Sequence, residues 1–173
     1  MEKVNLKHAF LVAGILSAIA GGSALLISGV NLLTGPAIAK NASLTEQQAL
    51  TRVFGDNAVF GEPVEVNKGS ILKYWPATDG NKEGRVYSLS GSNSYGTVSL
   101  SVGIYSDYSL GNMIISENTE SYGQTLEDNY VGVYQHVSDK EGALEATKCG
   151  ATFGAELIRG MVEEARAHYK EGN

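Results

Sequence analysis

The chemistry this chain offers is concentrated in seven residues, Lys148-Cys149-Gly150-Ala151-Thr152-Phe153-Gly154, which stand at the head of its strongest helical pattern. Small residues followed by a hydroxyl at a helix start expose backbone N–H groups beside the positive end of the helix dipole, an arrangement that suits a phosphate. Thr152 would then sit at the phosphate itself. The same residue would equally serve as an ordinary N-cap, as Thr commonly does. Cys149 is the only cysteine, so it forms no internal disulfide. With His136 or His168 it would offer a thiol nucleophile, although a lone cysteine is more often a small buried apolar residue. No spacing of His, Cys, Asp and Glu marks a metal site.

The elements that must position these groups read as α+β. After Lys148–Gly154, Phe153, Leu157, Ile158, Met161, Val162 and Ala165 recur at helical spacing, with Arg159, Glu163, Glu164, Arg166 and Lys170 on the other face. This predicts a C-terminal amphipathic helix. The clearest strand is 97–104, whose even positions are Val98, Leu100, Val102 and Ile104 and whose odd positions are small or polar. Turn residues from Tyr105 to Gly111 lead to Asn112–Ile115 as an antiparallel hairpin partner, and a further strand is expected over Tyr130–Tyr134. From Gly55 to Gly96 the chain is rich in Gly, Asn and Ser, with short β-prone pieces at 63–66 and 85–89. Ser43-Leu44-Thr45-Glu46 has the pattern of a capping box, and predicts a short helix from about Leu44 to Phe54.

The N-terminus has a different character. Of 173 residues, the 31 from Ala9 to Ala39 include no Asp, Glu, Lys or Arg. Residues 41–173 hold 10 basic and 18 acidic side chains, a net charge of −8, which argues against nucleic acid as a partner. Ala9–Leu33 would form about 37 Å of helix against about 30 Å of bilayer hydrocarbon, so a single transmembrane helix is expected, with Gly35-Pro36 ending it. Ala37-Ile38-Ala39 fits a signal-peptidase site, but the apolar run is far longer than the h-region of a signal peptide. The domains expected are thus 1–40, a membrane anchor in the lipid bilayer, and 41–173, a folded domain large enough to need no staple. Lys3 and Lys7 before the helix, against Lys40 after it, place the N-terminus in the cytoplasm and the acidic domain outside it at the cell (inner) membrane. Gly21, Gly22, Ser23, Ala24 and Ser28 form a thin zone that would let a neighbouring membrane helix approach.

Three separated motifs carry a resemblance to a known family. Gly150-Ala151-Thr152 ahead of an amphipathic helix resembles the end of the flavinylation motif of FMN-binding domains, whose general form is Asp, two loose positions, Ser or Thr, Gly, Ala, Thr. Ser94-Tyr95-Gly96-Thr97 is similar to their Gly-Tyr-Gly-Gly stretch, and Asn118-Thr119-Glu120-Ser121-Tyr122-Gly123 falls where they carry Glu-Thr-Pro-Gly-Leu/Tyr-Gly. Thr34-Gly35-Pro36-Ala37-Ile38-Ala39 is similar as well. In order along the chain, these resemble the G subunit of the Rnf electron-transport complex and the related C subunit of sodium-translocating NADH:quinone reductase. The chain departs from the pattern at Ala146, Cys149, Glu120 and Ser121, where the family carries Asp, Ser or Thr, Pro and Gly.

The resemblance implies an FMN-binding-type domain with FMN attached through a phosphoester to the Thr152 hydroxyl, made by a separate flavin transferase. Thr152 would be an attachment point and not a catalyst. Cys149, Gly150 and Ala151 would flank it, while Thr119, Tyr122 and Gly123 approach the flavin from the middle motif, with Tyr122 packing on the ring. The function implied is electron relay within an ion-translocating ferredoxin:NAD oxidoreductase complex, among its other membrane subunits. Two other readings compete. One is a flavin-free scaffold of the same fold, favoured by the departures at Ala146 and Cys149. The other is a sortase-like thiol transpeptidase, opposed by the mere 13 positions separating His136 from Cys149.

Overall fold

A computed structural model of the protein describes residues 6–145 and 148–172. The chain divides into two units, 1–46 and 47–173. Helix α1 runs from Leu6 to Phe54, through both Gly35-Pro36 and Ser43–Glu46, so the predicted break and the second helix start are absent. The backbone stays helical across Pro36, although a proline there gives up one intrahelical hydrogen bond. Among the described residues no helix is long and apolar enough to cross a membrane, which overturns the transmembrane helix predicted over 9–33. The side chains of Ala9, of 26–27 and of 29–33 lie outside the described residues. The expected orientation rested on that helix. Within the first unit, Phe10, Leu11, Val12, Ile15, Leu16 and Ile19 are exposed.

The second unit is α+β, built on a six-stranded antiparallel sheet: β1 (Val59–Phe60), β2 (Val64–Lys68), β3 (Ile71–Asp79), β4 (Lys82–Asn93), β5 (Gly96–Tyr105) and β6 (Leu110–Asn118). The path is β1-β3-β4-β5-β6, with β2 also on β3. The strand read from alternation is β5, with Val98, Leu100, Val102 and Ile104 all buried. Its hairpin partner is β6, pairing Val102 with Met113 and Leu100 with Ile115. The segment 55–96, expected to hold only brief strands, supplies four of the six.

Both faces of the sheet are covered. On one, Tyr87, Leu89, Leu100 and Val102 join Ile158, Met161, Val162 and Ala165 of α5 (Thr152–Glu171). On the other, Leu50, Val53 and Phe54 from the end of α1 pack with Trp75, Ala77 and Val86. The segment read as a strand over 130–134 is helical: α2 (Gly123–Leu126), a π-helical turn (Glu127–Val131) and α3 (Gly132–Gln135). Its buried residues Leu126, Tyr130 and Tyr134 lie four apart, so one face of a helix meets the core, and this spacing outweighs the local β propensity of Tyr and Val. Helix α4 (Lys140–Glu145) precedes the Lys148–Ala151 segment that leads into α5.

Candidate functional site

Three separate segments meet beside the start of α5. The first is the β4–β5 turn, where Asn93 Oδ1 accepts from the amides of Tyr95 at 2.7 Å and Gly96 at 3.2 Å, a side-chain turn that fixes a two-residue hairpin loop. The second is Asn118–Gly123, locked to that turn strand-fashion. Thr119 N–H donates to Thr97 O at 2.9 Å, Thr97 N–H to Thr119 Oγ1 at 2.9 Å, and Ser121 N–H to Tyr95 O at 3.1 Å. Gly96 makes this approach possible: at φ +154° a Cβ would stand 2.5 Å from Thr119 O.

The third segment is Gly150–Gly154. Gly150 turns the chain at φ +87°, and Ala151, not Thr152, occupies the N-cap position of α5 with no side-chain cap. The N-cap expectation for Thr152 is therefore corrected by one residue. Thr152 is the first residue inside the helix, with its side chain exposed. Asn129 Nδ2 donates to Cys149 O at 3.2 Å just ahead of this segment, while the neighbouring Tyr130 Oη donates to Leu144 O of α4 at 2.7 Å. Burial pushes the Tyr130 phenol up to about 12, so it remains a neutral donor there.

Between the three segments lies a cleft of about 270 Å³ lined by Tyr95, Glu120, Tyr122 and residues 150–154. Tyr95 and Phe153 stack with centroids 5.1 Å apart at 25°, and Tyr122 and Phe153 remain 57% and 59% exposed, a large apolar surface for side chains that could be buried. Two roomier hollows of about 410 Å³ exist elsewhere, one beside Arg52, Lys82 and Lys140 and one over Gly91 and Gly160, but neither unites the sequence motifs.

Of the residues expected at the site, the cleft brings together Gly150, Ala151, Thr152 and Tyr122. Cys149 is buried beneath the loop, where its Sγ accepts from Ala151 N–H at 3.4 Å. Thr119 is spent on its bonds to Thr97, and Gly123 packs on Asn118, so neither lines the cleft. The thiol-catalyst pairing finds no geometric support. His168 lies 16 residues into α5, about 24 Å from its start, with Nδ1 at 3.1 Å from Tyr87 Oη. His136 is exposed beyond α3.

Sequence reasoning missed Tyr95, Glu120, Phe153 and Gly154 as cleft residues. Glu120 is the one acidic residue in the buried set of the described residues, 9% exposed, and Asn93 Nδ2 donates to its Oε1. Its only signal in the sequence is that it interrupts the resemblance to FMN-binding domains, which carry proline there. No group of His, Cys, Asp and Glu among the described residues could hold a metal. No family model matches the chain, and no curated protein is detectably similar to it.

Proposed function

We propose that the chain is a flavoprotein subunit that relays electrons through FMN esterified to Thr152, within an ion-translocating complex of the Rnf type. The observation that carries this is the cleft itself. The three sequence motifs that resemble flavin-binding stretches lie far apart in the chain, at 94–97, 118–123 and 150–152, and each contributes to one aromatic-walled hollow.

Each residue has a defined task. Thr152 is an exposed residue at the first position of α5, and the ester forms when its side-chain oxygen displaces the leaving group of an activated flavin phosphate and gives up its proton on the transferase. Tyr95, Tyr122 and Phe153 offer ring faces to the isoalloxazine. Bound flavin supplies one-electron chemistry, while the protein holds its position. Cys149 takes no part in this reading beyond packing under the loop.

The experiment is denaturing electrophoresis of the protein made together with a flavin transferase. A yellow fluorescent band that survives denaturation and is lost in Thr152→Val supports the proposal. A colourless band from well-folded wild type contradicts attachment and leaves the flavin-free scaffold.

A further inference from the structure

Glu120 introduces a negative charge where a phosphate-binding cleft would ordinarily have none. The carboxylate lines the cleft, is 91% buried, and reaches the first turn of α5 so closely that a Cβ on Gly154 would meet its Oε2 at 2.5 Å. Asn93 Nδ2 holds the other oxygen in place. The first intrahelical bond of α5 is Ala155 N–H to Ala151 O at 3.0 Å, so the amides ahead of it form the end of the helix that attracts anions. Glu120 already sits against that end.

A free flavin phosphate carries about −1.5 to −2 charges at neutral pH, and repulsion between like charges is strong in a partly dry cleft. We infer that Glu120 bars unattached phosphate from the cleft, so that the flavin ring is accepted there but a phosphorylated flavin is retained only through its ester bond. This rests on the flavin reading of the same cleft. An ester at Thr152 leaves the phosphate a single charge and anchors it at an exposed position, where the covalent bond replaces the affinity that Glu120 withholds. The ligand class selected is therefore a neutral flavin ring with no free anionic tail.

The test uses the full chain made without transferase, titrated with riboflavin, with FMN and with inorganic phosphate. Wild type is expected to bind riboflavin more tightly than FMN and to show no thermal stabilisation by phosphate. Glu120→Gln should raise FMN affinity about tenfold, equivalent to roughly 1.4 kcal/mol, while riboflavin affinity changes less than about twofold. Phosphate should stabilise that variant alone. Glu120→Ala, which removes the charge without the amide, should behave likewise. Unchanged FMN affinity and an unchanged phosphate response in both variants, with riboflavin still bound, would overturn the role of Glu120 and leave the flavin reading intact. If neither flavin binds any form, the flavin reading fails; a phosphate response confined to the variants would still uphold the exclusion of anions by Glu120, and no response would overturn it.

Discussion

Replacing Gly96 by alanine should force apart the backbone segments that border the cleft. Gly96 sits at φ +154°, and a Cβ there would stand 2.5 Å from Thr119 O and 2.6 Å from both Glu120 N and Glu120 Cα. All three are backbone atoms. They move only if the bonds from Thr119 N–H to Thr97 O, at 2.9 Å, and from Ser121 N–H to Tyr95 O, at 3.1 Å, stretch with them. The unfavourable backbone region costs about 1–3 kcal/mol and the overpacking a further 1–3, of which roughly 0.4–1 returns through the stiffer unfolded chain. The net is about 2–5 kcal/mol, which for a unit of this size is a fall in Tm of roughly 8–20 °C. Gly80 is the internal control: its φ is +59°, with nothing within 4 Å of a Cβ. Gly80→Ala should pay only the left-handed backbone cost of about 1–2 kcal/mol, a fall of roughly 4–8 °C. Thermal unfolding by circular dichroism compares the two. Equal melting temperatures would refute the claim that close backbone approach holds the turn and Asn118–Gly123 together.

Two further outcomes follow from the same geometry. Burial raises the phenols of Tyr130, to about 12, and of Tyr134. The folded state therefore holds these protons more tightly than the unfolded chain, which releases them near 10, so stability is full below about pH 10 and falls as pH climbs toward 12. Urea midpoints that stay constant from pH 9 to 11.5 would contradict this assignment. Cys149→Ser should keep bound flavin, because the thiol is buried outside the cleft, at a cost of about 1–2 kcal/mol for the enclosed hydroxyl; flavin content and denaturation midpoints check both halves, and loss of flavin from a folded variant would refute it.

How far the sequence disclosed this structure depended on whether one face or both of an element were covered. In β5 the odd positions are small or hydroxylated, so the alternation from Val98 to Ile104 was plain. In β4, Val86 and Tyr87 are adjacent and both fully buried, because one packs toward α1 and the other toward α5. Two covered faces erase the period of two, and the register shift between Ile71 and Lys73 blurs β3 further, so this region read only as short β-prone pieces at 63–66 and 85–89. Tyr130–Tyr134 misled through composition, when the spacing of Leu126, Tyr130 and Tyr134 was the better guide. The N-terminal run read as a membrane span from its length and its lack of charge, and among the described residues no helix is long and apolar enough to cross a membrane. At the cleft, motif residues that use their own backbone, Gly150 and Ala151, were legible. Glu120 was not, since a charge in sequence reads as solvated until its burial against Gly154 is seen.

The central claim is that Thr152 carries the flavin. Mass spectrometry of the tryptic peptide 149–159, from protein made with a transferase, measures it directly. The account predicts an FMN adduct on that peptide, with the site localised to Thr152 and no adduct in Thr152→Val, whose helix keeps Ala151 at its N-cap position and should lose less than about 1 kcal/mol. An unmodified peptide 149–159 in the wild type, or an adduct that persists in Thr152→Val, would contradict it.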